Sequence, residues 1–193
     1  GDRGVEMALN AFEYSNHPDL ANRVEHIEVV QPGTVERFEQ LNVTASMQPN
    51  HGTGVIGKYI TPRIGTEREQ FAYVWNDFLK GGVRLALSSD FATSPFSPLV
   101  QLYDAVFRES PSGLYDGPWY PEQRISFDQA LFAYTQTGAD LSGWGDQIGS
   151  ITNGKWADFV ILDQRLSEPV GKELKETLVT STFFAGKEVY TKN

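Results

Sequence analysis

Three short apolar runs, at residues 23–28, 42–47 and 83–88, alternate with segments whose apolar residues recur at helical spacing. This alternation constrains the fold more than any other feature of the chain. A strand that rejoins its sheet in parallel needs a long crossover, usually a helix and nearly always right-handed. Between the first two runs, Val35, Phe38 and Leu41 stand three apart, and Val43, Ala45 and Met47 then alternate as a strand does. Between the second and third, Thr66 and Glu69 have capping-box spacing. Phe71, Val74, Trp75, Phe78 and Leu79 follow as one stripe, and Gly81 supplies a stop, so one helix is expected over 66–81. The expected class is α/β with a parallel sheet.

A helix over 5–15, with Val5, Met7, Ala8, Leu9 and Phe12 at helical spacing, closes near His17-Pro18. Because it precedes the first strand, the chain is expected to begin in mid-unit, as a fragment. Past residue 90, one helix starts at Ser97-Pro98 and carries Leu99, Leu102, Val106 and Phe107 inward. Another starts at Ser126, with Gln129 as capping-box partner and Gly138 as its stop. The character changes from 149 onward. Apolar runs at 158–163, 178–184 and 188–190, with the turn Ala185-Gly186-Lys187, read as a small antiparallel β unit. The domains expected are 1–145 and 146–193.

Charge narrows the partners. With 16 Lys and Arg scattered among 25 Asp and Glu, for a net charge of −9, no nucleic-acid partner is expected and anionic membranes are disfavoured. No apolar run approaches the roughly 20 residues needed to span a bilayer, so no membrane partner is expected. There are no cysteines, so any metal must be held by His, Asp, Glu or modified Lys. Nothing in the sequence fixes a compartment.

Two of the runs end in metal-capable side chains, His26 within 23–28 and Asp90 just after 83–88. Parallel strand ends converge on one rim, where barrel enzymes keep their chemistry. Each residue also has a plain reading. Asp90 serves equally as a cap or turn residue ahead of Ala92-Thr93-Ser94-Pro95, and His26 as a satisfied structural histidine. His51, just past the second strand, is a candidate substrate contact or a surface-loop histidine. Glu25 and Glu28 are expected to be solvated or ion-paired, and His17 is given no role. Arg108 is expected to be exposed and ion-paired on its helix rather than gripping a substrate carboxylate. Trp119, Trp144 and Trp156 read as packing residues. Gly52-Thr53-Gly54 lacks the strand-to-helix setting of a phosphate loop.

The ordered set GDRGVEMALNAFE, RVEHIE, VTASMQPNH, VRLALSSD, ISFDQALFAYT and GSITNGKWADFVILD resembles the carboxyl half of metal-dependent amidohydrolases of the amidohydrolase-3 group. That group includes N-substituted formamide deformylase and exoenzyme-regulator-like proteins. The resemblance implies the C-terminal part of a (β/α)8 barrel, about units five to eight, plus the C-terminal strands of a small β-sandwich. It aligns His26 with the strand-six histidine and Asp90 with the strand-eight aspartate, and it puts the strand-five histidine upstream of Gly1.

The implied activity is hydrolysis of a non-peptide carbon–nitrogen bond in a small-molecule amide or an N-formyl or N-acyl compound. Metal-activated water would attack, with His26 and Asp90 binding a divalent metal, zinc in the complete enzyme, and Asp90 taking the water's proton. With two ligands in the chain, metal binding by the chain alone is expected to be weak or absent. The missing N-terminal half of the barrel is the expected partner, and exposed sheet edges predict self-association. The rival from another class is a non-catalytic binding or regulatory module that keeps the fold without the metal.

Overall fold

Each of the three apolar runs forms a strand in the computed structural model, which describes residues 1–109 and 116–192. They are β1 (Arg23–Glu25), β2 (Thr44–Met47) and β3 (Leu85–Leu87), all parallel, in the order β1-β2-β3. Val24 pairs with Ala45, and Ala45 with Leu85. Every residue of β2 and β3 is buried, as expected of parallel strands covered on both faces.

The cover comes from helices on either side of the strands in sequence. α1 (Asp2–Ser15) buries Val5 and Leu9, and α2 (Thr34–Gln40) joins β1 to β2. β2 is followed by α3 (Pro49–Thr53), α4 (Val55–Ile64), α5 (Thr66–Glu69) and α6 (Trp75–Lys80). Phe38 of α2 and Phe78 of α6 meet edge to face with centroids 4.9 Å apart, and neither has any exposed surface. The parallel sheet and its helical crossovers agree with the sequence pattern.

The single helix expected over 66–81 is instead two short ones. Ala72 leaves the helical path to form an isolated antiparallel bridge with Val29, Tyr73 adopts φ 53, and Thr66 makes no side-chain cap. The cause lies far along the chain. Arg108, at the end of α7 (Pro98–Phe107), donates from Nη1 to the Tyr73 carbonyl at 2.9 Å, from Nη2 to Ala72 at 3.0 Å and from Nε to Trp119 at 2.7 Å.

The expectation of an exposed, ion-paired Arg108 is therefore wrong. The residue is 0% exposed, and its guanidinium lies 4.2 Å and 4.8 Å from the ring centroids of Trp75 and Trp119. Carbonyls along a fixed fork and two π-faces take the place of a carboxylate. Burial lowers its pKa to about 9, still above neutral, so the cation persists.

α8 (Phe127–Tyr134) carries both halves of the expected Ser126–Gln129 capping box. The chain kinks at Thr135 into α9 (Gln136–Leu141), so Gly138 lies inside a helix rather than stopping one; Gly143, at φ 75, stands just past the end. The remaining strands, β4 (Phe159–Leu162), β5 (Val179–Phe184) and β6 (Lys187–Thr191), form an antiparallel sheet. Ala185 and Gly186 turn β5 into β6 with φ 49 and 77, the positive values a tight hairpin needs. Among the described residues, no helix is long and apolar enough to cross a membrane.

Candidate metal centre

Because β1, β2 and β3 run parallel, their carboxyl ends open onto one side of the sheet, and a metal-capable side chain follows each. His26 follows β1 directly, and its N–H donates to the Ser46 carbonyl of β2 at 2.8 Å. His51 rides on α3, just past β2, and Asp90 follows β3. One ligand atom from each of the three lies within 4.8 Å of the others.

His26 and Asp90 both sit in left-handed backbone, at φ 73 and 51. For non-glycine residues this costs on the order of 1 kcal/mol or more each and tends to persist where function needs it. These backbone turns end the strands and aim both side chains at the common rim.

His51 is 4% exposed. Its Nε2 is buried without a hydrogen-bond partner and lies 3.6 Å from Oδ2 of Asp90, whose side chain is 39% exposed. Burial pushes the His51 pKa below its usual value, helped by neighbouring His26 and opposed by Asp90. The imidazole is thus neutral at neutral pH and keeps a lone pair for a metal. The rings of His26 and His51 lie 5.8 Å apart and nearly parallel.

His26 is exposed, yet its orientation is fixed from one side. Nδ1 stands 3.0 Å from Oε1 of buried Gln48, whose Nε2 donates to Oγ of Ser88 at 3.0 Å. With the amide in that sense, Nδ1 carries the proton and Nε2 is left open.

Two imidazoles and a carboxylate make a borderline nitrogen and oxygen donor set of the kind zinc-like ions take. Donors around a tetrahedral ion stand roughly 3.4 Å apart, close to the His51–Asp90 spacing. An orphaned buried nitrogen facing a carboxylate fits a divalent cation between them.

Of the residues singled out in the sequence, His26, Asp90 and His51 come together. The sequence named His26 and Asp90 as metal ligands and His51 as a substrate contact, and the structure brings a ligand atom of His51 within 4.8 Å of theirs. Glu25 accepts from Nε of Arg23 at 2.6 Å, and His17 stands 3.9 Å from Asp19, both pairs exposed. A cleft of about 360 Å³ lined by Val30, Val35, Phe71 and Val74 includes none of the three. The sequence did not single out Gln48, nor Asn50, Gln101 and Asp104, of which Asn50, next to His51, bonds the other two. The last two had a signal, since they are polar residues one turn apart within the otherwise apolar 99–107 stretch.

The profile of a family described as "Amidohydrolase family" matches residues 1–190. Protein LONG AFTER FAR-RED 3 of Arabidopsis thaliana is 33% identical over 98% of this chain and 33% of its own length. N-substituted formamide deformylase of Arthrobacter pascens is 29% identical over 96% of this chain and 34% of its own. The crystal structure of an uncharacterized metal-dependent hydrolase from Pyrococcus furiosus superposes with a TM-score of 0.65 at 29% identity, covering 80% of this chain and 30% of that one. The chain thus spans about a third of the length of the curated relatives it matches.

Proposed function

The chain belongs to the amidohydrolase family, and from that membership we propose that it carries a divalent-metal centre, built by His26, His51 and Asp90, of a hydrolase acting on non-peptide carbon–nitrogen bonds. The observation that carries this reading is the convergence of three donor side chains from three adjacent parallel strand ends, all within 4.8 Å. His51, read from the sequence as a substrate contact, is here a metal donor, because its open nitrogen is buried and faces Asp90.

A bound zinc-type ion would supply Lewis acidity and make water nucleophilic at neutral pH. The chain's own residues have separable roles. His51 offers a neutral imidazole held in a dry wall. His26 offers Nε2 while Gln48 retains Nδ1. Asp90, the half-exposed member, accepts the proton of the attacking water and returns it to the departing amine. The substrate class is a small amide or an N-formyl or N-acyl amine, consistent with the named activity of the Arthrobacter relative.

The β1-β2-β3 sheet is read as an arc of a (β/α)8 barrel whose rim holds the centre, with a boundary near residue 145 before the antiparallel unit. The test is hydrolysis of N-formyl and N-acyl amines in the presence of zinc, by this chain alone and with the amino-terminal part of a relative supplied. Turnover that requires zinc and disappears in Asp90→Asn supports the reading. Zinc-independent turnover, or an unaffected Asp90→Asn, refutes it.

A further inference from the structure

α3 spans only Pro49–Thr53. A helix this short does not hold itself together in water, so tertiary contacts must set where His51 points. Gly52 packs closely against Tyr73, whose ring a Cβ there would meet at 3.0 Å.

Among the described residues, the side-chain hydrogen bonds that reach α3 from elsewhere come from α7. Asn50 donates through Nδ2 to Oδ2 of Asp104 at 2.7 Å and through its backbone N–H to Oε1 of Gln101 at 3.1 Å. The Thr53 hydroxyl donates to the Pro49 carbonyl at 3.3 Å within α3 itself. Gln101 further donates from Nε2 to the Pro95 carbonyl at 3.5 Å, in the loop that follows Asp90. Gln101 is 0% exposed and Asp104 7%. Residues three apart share a helix face, and buried polar groups are costly unless bonded. The bonds found for both lead to the two segments that bear His51 and Asp90.

The geometry points to α7 as the positioning element of the metal centre, with Asp104 and Gln101 clamping Asn50 so that His51 is held within reach of Asp90. Asp104 and Asn50 are positioning residues and touch no reacting atom. This inference rests on the metal-centre reading above. It adds that the ligand-bearing turn is set by a helix lying after all three donors in sequence.

The test uses cobalt(II) titration of the 193-residue chain, followed by visible absorption, together with backbone amide exchange over residues 49–54 in the metal-free protein. Asp104→Leu and Asn50→Asp are each expected to weaken cobalt binding about tenfold to a hundredfold, the usual cost of losing a group that orients a ligand. Each should also accelerate exchange in 49–54. The double variant N50D/D104N exchanges donor for acceptor and should restore both.

Unchanged binding and exchange in D104L overturn the clamp, and so does a double variant as weak as the singles. A wild-type chain that binds no cobalt sinks the metal-centre reading. In that case, accelerated exchange in D104L and N50D that is rescued by the N50D/D104N swap still upholds the clamp on α3, and unaccelerated exchange overturns it.

Discussion

Nε2 of His51 stops 3.6 Å short of Oδ2 of Asp90, too far for a hydrogen bond and close to the spacing of two donors on one ion. The pair joins residues that follow neighbouring strands β2 and β3, where Met47 pairs with Leu87. A polar nitrogen left buried and unpaired is costly, and a cation between the two groups would remove that cost.

Removing this nitrogen should therefore uncouple the fold from metal. In excess zinc, about 100 times the dissociation constant, ligand binding stabilises the native state by about 2.7 kcal/mol. For a chain of this size that is a rise of roughly 5–10 °C in melting temperature. His51→Ala should lose most of the rise. An equal zinc shift in wild type and variant, measured by thermal denaturation, would remove His51 from the ligand set.

Gln48 should act through His26. Gln48→Leu removes the acceptor at Nδ1 and leaves the ring free to rotate and change tautomer, so zinc affinity is expected to fall about tenfold. Gln48→Glu keeps an acceptor and should retain tighter binding than the leucine variant. Competition with a chromophoric chelator reads both, and equal affinities for the two variants would contradict the role.

Asp104 sets a pH dependence opposite to that of most carboxylates. Burial pushes its pKa up to about 6 from 3.8, raised further by Glu109 and opposed by its bonds to Asn50 and Thr53 and by Lys175. The native state then binds a proton more tightly than the unfolded chain, so this group's contribution to stability is lost as pH rises from about 4 to about 6. The loss is on the order of 3 kcal/mol at most. Wild type should become less stable relative to Asp104→Asn across that window. Urea midpoints at closely spaced pH values give the difference, and a flat difference would contradict the shift.

Arg108 should be among the most sensitive positions outside the candidate metal centre. Arg108→Met leaves the carbonyls of Ala72, Tyr73 and Trp119 without this donor in a dry interior, a destabilisation on the order of 3 kcal/mol. Arg108→Lys keeps the charge without the planar fork and should recover little. Denaturant unfolding measures both. A lysine variant as stable as wild type would show that charge rather than geometry matters there.

The strands and most helices were legible because their signals are local. Val43, Ala45 and Met47 alternate, and Ser126 and Gln129 cap each other across three residues, so both features survive without knowledge of the rest of the chain. The break between α5 and α6 was not legible. The apolar stripe across it is helical in spacing, but the carbonyls of Ala72 and Tyr73 are claimed by an arginine much later in sequence, and that tertiary demand outweighs local propensity. Arg108 itself was misjudged for the same reason, since its partners are backbone atoms and two indoles that no sequence spacing announces.

The candidate site divides in a similar way. His26 and Asp90 were visible as metal-capable groups closing apolar runs, a one-dimensional pattern. The sequence alone therefore determined a parallel α/β arrangement and two metal-capable groups that follow its strands. The tertiary structure decided the rest: that His51 turns inward beside Asp90, that Gln48 meets His26, and that Gln101 and Asp104 of α7 bond Asn50 beside His51. The physical reason is that secondary structure follows from periodicity along a few residues. A coordination shell instead requires atoms from distant segments to meet within a few ångströms, and only the packed sheet and its bracing helix set those distances.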